Sequence, residues 1–399
     1  MSTAARPTPV SDLDLWSDAV LADPYPAYRE LRDAGAAVHL RRHAVWVVAR
    51  YADVRAVLAD DMTFSSASGV GINDRMNGLQ AGTVLASDDP QHAVLRAVLS
   101  EKLAPRALAK LRTQIAEQAD SLVRDAVEQG TFDGVGDLAA RLPVDVVADL
   151  IGLPVQGREV LLPGADAMFA GMGPMDERLE ARVPEIMAHQ RYIGEMTSRE
   201  KLTPGSWGAA ILDAVDEGRI APDAAVPLMT AYLVAGMDTT VHSLGNYLRL
   251  LAADPGLWKL LKADPSQIGS GFEECLRLES PAQNFTRVTT RAVEMGGEPL
   301  PAGARVVVSF ASANRDERHY PDPDHFDIRR RPLDHLAFGH AVHGCAGQGL
   351  ARIEAQALIS ALLRRVDRLE LAGEPVRHLN PTIRGLAKLP VSVVPAGGR

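Results

Sequence analysis

Residues 335–349 read HLAFGHAVHGCAGQG. One of only two cysteines in the chain, Cys345, stands here among histidines, close-set glycines and a phenylalanine. His340, His343 and Cys345 form a His-x2-His-x-Cys run with the ligand types that zinc takes. A structural zinc site, however, uses four ligands, usually in two pairs, and a catalytic one uses three plus water. The other cysteine, Cys275, lies far upstream in a helical pattern, so the run has no second pair. A buried thiol that only packs in a turn is the plainer alternative.

A third reading uses the cysteine alone. A single thiolate can be the axial ligand of haem iron. That role needs a loop lying close against a flat macrocycle, with backbone N–H groups aimed at the sulfur. Gly339, Gly344 and Gly347 permit the approach because they lack Cβ. Phe338 is placed to pack on the ring, and the helix that opens at Gly347 would begin beneath the metal.

The rest of the chain constrains the choice. With 399 residues, 46% hydrophobic and 23% charged, it can bury a large core. Two cysteines cannot build a disulfide framework, and a reducing compartment is expected. The N-terminus MSTAARPTPVSDLDLW lacks the apolar run of a signal peptide or membrane anchor, so a cytoplasmic protein is expected. A net charge of -9 argues against general nucleic-acid binding, which needs a basic face.

The pattern along the chain is mainly helical, with a small β region and no repeat or linker. Residues 1–23 read as a loose lead-in and 24–399 as one domain. DPYPAYRELRDAG is a short helix, and HAVWVVARYADVRAVLAD a strand followed by a helix. Residues 65–83, rich in Gly, Ser and Asn, read as a mobile loop. Helices follow to about Leu212, with breaks expected at Pro105, Pro143, Pro154 and the turn at Gly171 to Pro174. Residues 221–253 form one long helix closed by Asp254-Pro255. TRVTTRAVEMGGEPLPAGARVVVSFASA alternates as strands, and QGLARIEAQALISALLRRV is a last apolar helix.

Three further stretches carry chemistry. FEECLRLESP holds Glu274 and Arg277 one helical turn apart, although Glu273 with Arg277 is an equally ordinary surface pair. In LVAGMDTTVHS, Gly236 costs a helix interior about 1 kcal/mol, and the hydroxyls of Thr239 and Thr240 can bond back to carbonyls and bend it. That stretch is either a kinked core helix or a groove beside a site. In DDPQHAVLR, His92 and Arg96 share one helical face, which suits an anion or simply solvent.

Taken in order, these stretches resemble a family. FGHAVHGCAG looks like the cysteine loop of the cytochromes P450, usually Phe-Gly-x-Gly-x-His/Arg-x-Cys-x-Gly. Phe338, Gly339, His343, Cys345 and Gly347 match it, and Ala341 replaces the second glycine. The resemblance covers nearly the whole chain. It implies a P450 fold, a single domain with haem b between the long central helix and the cysteine loop, and Cys345 as the iron ligand. Glu274, Arg277 and Arg330 are then a buried network behind the loop. Asp238 and Thr239 match the family's acid–alcohol pair, which supplies protons for O–O cleavage. His92, Arg96, Arg287 and His343 match the partners of the haem propionates.

The implied activity is haem-thiolate monooxygenation: insertion of one atom of O2, as hydroxylation or oxidative O-demethylation. A peroxide-driven or redox-isomerising relative and a haem-based ligand sensor are the alternatives. The Asp238-Thr239 pair speaks against the first, and the lack of an output segment against the second. No flavin, nicotinamide or cluster-binding motif is present, so electrons must come from another protein. By resemblance this is a [2Fe–2S] ferredoxin with an NAD(P)H-dependent reductase. Lys102, Arg106, Lys110 and Arg112 form a basic stretch able to receive it, if they are not merely a solvated face. Pocket candidates are Val70, Ile72, Met168, Phe169, Met172, Ala235, Asn284, Phe285 and Thr286. FSSASGVGIND, ESPAQNFTR and SANRD resemble the bacterial branch that oxidises para-substituted benzoic acids, gripping the carboxylate with Arg and Ser. The aligned positions here are Leu79, Gly82, Thr230 and Ala231, none cationic, with Arg75 the one substitute in the loop. A small, uncharged, aromatic substrate is therefore expected.

Overall fold

The long central helix, Ala225–Ala253, is the axis of the fold. Leu228, Met229, Leu233, Met237, Leu244, Tyr247, Leu248 and Leu251 bury several of its faces at once, so it is a core helix rather than an amphipathic surface one. It is long and apolar enough to cross a bilayer, but most of that stretch is packed inside the protein. The protein is represented by a computed structural model that describes residues 9–397. Helices Arg141–Ile151, Leu161–Ala170, Ile268–Glu279 and Gln348–Arg365 pack on the axis, and Arg112–Gln129 packs on Gln348–Arg365, in one mainly helical domain.

Beside the helices lies a sheet in the spatial order Val10–Ser11, Val38–Leu40, Val45–Val48, Arg305–Ser309, Asn284–Thr289, Phe64–Ser65. Asn284–Thr289 pairs antiparallel with Arg305–Ser309, Arg287 standing opposite Val306. Side chains alternate along a strand, so Phe285 and Arg287 share one face and Asn284 and Thr286 the other. Further strands at Val366–Leu371, Val376–Leu379, Arg384–Lys388 and Pro390–Pro395 fold the C-terminus back against the central helix.

Several sequence expectations are corrected. The lead-in is part of the fold from residue 9: Val10 pairs in parallel with His39, and Leu15 and Trp16 are buried beside Tyr28 and Leu31. Residues 1–8 lie outside the described residues. The loop 65–83 contains the helix Asp74–Gln80, capped by the Asn73 side chain, which accepts from the Met76 amide. Asn77 exchanges two hydrogen bonds with the Gly71 backbone, pinning the loop. Pro143 does not break a helix. It sits in the first turn of Arg141–Ile151, where a missing N–H is tolerated. Gly236 is explained by packing: a Cβ there would lie 3.2 Å from Val147 Cγ2, so the glycine lets helix Arg141–Ile151 approach the axis.

Candidate active site

The cysteine loop is built from two short 3-10 turns, Leu336–Phe338 and Ala341–His343, and the Cys345 amide donates to the Phe338 carbonyl at 2.8 Å. Gly339 has φ 70° and ψ -164°, a conformation open only to glycine. Ala341 has φ 56°, so it adopts the left-handed backbone despite its Cβ. Beyond the cysteine, helix Gln348–Arg365 begins, and the N–H groups of Gly347 and Gln348 bond toward the sulfur. Burial raises the thiol pKa; those N–H groups and the nearby charges of Arg96 and Arg352 pull the other way.

The loop is clamped from behind. Glu274 and Arg277 form a bidentate pair at 2.7 and 2.8 Å, both fully buried. Arg330 Nε donates to Glu274 at 3.1 Å, and Arg277 also donates to the carbonyls of Asn314 and Pro323. The alternative Glu273–Arg277 pair does not form. Glu273 instead binds His335 and, through two bonds, Arg352, whose guanidinium lies 4.7 Å from the Phe338 ring centre. The reading of the sequence missed His335, Glu273 and Arg352 as supports of the loop.

A positive cluster converges beside the loop. Arg96 bonds the Gly344 carbonyl and acts electrostatically on both Cys345 and Tyr232, so it lies between the loop and the central helix. The rings of His92 and His343 are 4.3 Å apart. Burial and the charges of Arg287, His92 and Arg96 push the His343 pKa down to about 3. Burial likewise lowers that of Arg287 to about 10. Arg287 Nη1 donates to the Thr286 carbonyl at 2.8 Å, and His92 Nε2 is buried with no partner among the described residues. Two guanidiniums, Arg96 and Arg287, beside imidazole N–H groups form a donor set that favours an anion. This donor set fits the two propionates of haem, the apolar Phe338 fits its ring, and Cys345 with its two N–H groups fits a thiolate ligand.

On the central helix, Ala231, Ala235 and Thr239 follow at i, i+4 spacing; with Tyr232 and Gly236 beside them they are the accessible side of a segment whose other residues are buried. Thr239 Oγ1 donates to the Ala235 carbonyl at 2.7 Å, and Ser243 Oγ to that of Thr239 at 2.7 Å. Asp238 is buried; its Oδ1 stands 3.3 Å from His242 Nε2, and its Oδ2 has no partner among the described residues.

Val70, Met168, Phe169, Met172 and Phe285 pack together with Ala165, Val234, Ala282, Ile383 and Leu85. Thr230, one turn before Val234, is buried on the same helical face. Three expected pocket residues direct their side chains to other contacts. Ile72 packs with the N-terminal cluster of Leu15 and Trp16. Thr286 spends its hydroxyl on the Gly71 carbonyl at 2.9 Å, and Asn284 lies on that same strand face, away from Phe285. Leu79 is exposed, and so is Arg75 one turn before it, so that helix face points outward.

Fold and site together define a protein of the haem-thiolate class. Residues 270–392 match the cytochrome P450 family, and relatives extend the match over nearly the whole chain. The chain is 41% identical over 379 residues to cytochrome P450 CYP199A2 of Rhodopseudomonas palustris, covering 94% of this chain and 92% of that protein. It is 34% identical over 410 residues to the cytochrome P450 monooxygenase PikC of Streptomyces venezuelae, covering 98% and 95%. The solved structure of CalO2 superposes with a TM-score of 0.84 at 30% identity, covering 96% of this chain and 99% of that one. The chain therefore belongs to the cytochrome P450 family. Haem with a cysteine thiolate on its iron is the cofactor of that family, and the enzyme is an oxidoreductase of the monooxygenase type.

Proposed function

We propose that Cys345 is the thiolate ligand, that His92, Arg96, Arg287 and His343 hold the propionates, and that Phe338 packs on the ring. Bound haem supplies the activation of O2 and the delivery of one of its atoms to the substrate. The chain's own work is to hold, dry and protonate. The Arg96 and Arg287 guanidiniums and the imidazole donors beside them fix the cofactor's orientation, and the Gly347 and Gln348 amides stabilise the thiolate. The apolar wall of Val70, Phe169, Met172, Val234 and Phe285 excludes water and positions an organic substrate. Asp238 and Thr239 provide a carboxyl and a hydroxyl for the two protons that reduction of O2 consumes.

The substrate is a small, uncharged, aromatic molecule, hydroxylated or O-demethylated. The carrying observation is that Leu79, Gly82, Thr230 and Ala231, which align with the carboxylate grip of the benzoate-oxidising branch, include no basic side chain. Electrons come from a [2Fe–2S] ferredoxin served by an NAD(P)H reductase. Arg106, Lys110 and Arg112 are exposed, and Leu108 among them packs against Gly349, close behind the cysteine loop. An acidic carrier docking there would sit near the sulfur side of the cofactor. A cytoplasmic location is consistent with two unpaired cysteines.

The test is spectroscopic and catalytic. The ferrous carbon monoxide complex of the wild type should show the strongly red-shifted Soret band of a thiolate ligand. Cys345→Ser should abolish it, and Cys275→Ala should keep it. Reconstituted with ferredoxin and reductase, the wild type should oxidise neutral aryl ethers or alkylphenols. An unchanged band in Cys345→Ser would remove the ligand assignment.

A further inference from the structure

We propose that Asp166, His378 and His242 form a relay that brings protons from the protein surface to Asp238, and that Gly385 seats the relay's inner histidine. The proposal rests on the monooxygenase reading, because Asp238 matters only if protons are consumed at its side of the central helix.

The residues come from three separate parts of the fold. Asp166 lies on helix Leu161–Ala170, His378 on strand Val376–Leu379, and Asp238 and His242 on the central helix. Side-chain exposure falls in sequence from the outside in: Arg182 25%, His378 23%, Asp166 10%, His242 7% and Asp238 2%. His378 Nε2 contacts Asp166 Oδ1 at 2.6 Å, and the His378 and His242 rings stack with centres 5.3 Å apart. His242 Nε2 then meets Asp238 Oδ1 at 3.3 Å. One ligand-type atom from each of Asp166, His242 and His378 lies within 4.8 Å of the other two, a span that one water bridges.

Position of the inner histidine is set by a glycine. Gly385 pairs across the strand with His378, and a Cβ on Gly385 would fall 1.9 Å from His242 Nδ1. The His242 ring thus occupies the space of the missing side chain, directly beside His378. Its Nδ1 is buried without a hydrogen-bond partner among the described residues. A buried ring with one nitrogen on a carboxylate and the other unspent is built to take a proton at one end and release it at the other.

The same cluster offers ligand types for a metal ion, but Asp166 is already spent. Its Oδ1 accepts from His378 and Asn380, and its Oδ2 from Arg182 at 2.6 Å. Arg182 also pairs with Glu185. The charged and titratable groups facing the histidines are therefore Asp166, Arg182 with Glu185 behind it, and Asp238. Burial disfavours the charged form of His378. The hydrogen bond and charge of Asp166, with Asp238 adding to them, nonetheless raise its pKa. In the transfer, protonated His378 gives a proton to His242 Nδ1, His242 releases one from Nε2 to Asp238, and solvent reprotonates His378. Charge balances at each step and no oxidant is needed.

The experiment uses the haem-loaded full chain. Histidine NMR titration of the diamagnetic carbon monoxide complex gives the His378 pKa, assigned by its loss in His378→Gln. Asp166→Asn should lower the proton affinity of His378 about tenfold or more. In ferredoxin-supported turnover, His242→Gln should slow product formation about tenfold or more. Its melting temperature and substrate spin-shift titration should match the wild type. Turnover needs protonated His378, so it should fall as pH rises through that pKa, and in Asp166→Asn the falling limb should move to lower pH. Gly385→Ala should reproduce the His242→Gln loss by displacing the ring. The relay is overturned if His242→Gln turns over as fast as the wild type, or if Asp166→Asn leaves the His378 titration where it was. A wild type without the thiolate carbon monoxide band sinks the monooxygenase reading itself, a result distinct from either.

Discussion

The amide of Gly344 donates to the carbonyl of Ala341 at 2.9 Å, closing a turn in which Ala341 itself sits at φ 56°. The turn therefore keeps the left-handed backbone that the family's usual glycine adopts freely, and the alanine bears the strain. A non-glycine residue in that region costs about 1–2 kcal/mol. Glycine's extra freedom in the unfolded chain takes back about 0.5–1 kcal/mol. Ala341→Gly should therefore stabilise the protein by roughly 0.5–1 kcal/mol in urea denaturation, with the carbon monoxide band unchanged. A destabilised variant would mean that the Ala341 methyl makes a packing contact worth more than the strain.

Thr239 is the second place where a small change separates roles. Its hydroxyl is accessible on the helix strip and bonded to the Ala235 carbonyl, so removing it disturbs no packing. Thr239→Ala should still bind substrate and consume NAD(P)H, but a larger share of the reducing power should appear as hydrogen peroxide. Thr239→Ser should restore coupling. Product yield per NAD(P)H, measured beside peroxide, checks this; equal coupling in Thr239→Ala would remove the hydroxyl from proton delivery.

Glu354 supplies a pH-dependent stability. It is fully buried in helix Gln348–Arg365, neither carboxyl oxygen has a hydrogen-bond partner among the described residues, and burial raises its pKa to about 8. A carboxyl held above its unfolded value is favourable to folding at low pH, where both states are protonated. That advantage is lost as pH rises through the folded pKa. Between the ordinary carboxylate range and pH 7 the loss is on the order of 3 kcal/mol. Glu354→Gln, which keeps the shape, should flatten the fall in urea midpoint between pH 5 and 8 (about these limits). A slope that survives the substitution assigns it to another group.

What was legible in the sequence was local. The cysteine loop, the Glu274–Arg277 pair and the Asp238-Thr239 pair are each contained in a few consecutive residues, where helical or turn geometry alone brings the groups together. Contacts made only by tertiary folding left no such mark. His378, Ile383 and Gly385 reach the central helix because the C-terminal strands fold back onto it, and nothing in their own spacing says so. Thr286 and Ile72 were misplaced for a related reason: neighbours in sequence need not share a face, and strand alternation turns Thr286 away from Phe285. The helix Asp74–Gln80 did carry a signal, the capping Asn73, hidden among the glycines and serines of its loop.

The charge of the substrate is the sharpest open test. A buried carboxylate that lacks one charge-assisted partner forfeits about 1.5–3 kcal/mol. Of the positions aligned with the benzoate branch's carboxylate grip, Thr230 alone bears a hydroxyl, while Leu79 and Arg75 point outward from their helix. Neutral aryl ethers or alkylphenols should therefore bind more tightly than the matching para-substituted benzoates, by roughly tenfold or more on that energy scale. Each ligand can be titrated by the low-to-high-spin shift it produces. Thr230 shares the helical face of Val234, so Thr230→Arg should direct a guanidinium along the wall and reverse the preference toward the benzoate. If the wild type already prefers benzoates and Arg75→Ala abolishes that preference, the neutral-substrate reading is wrong and Arg75 is the anchor.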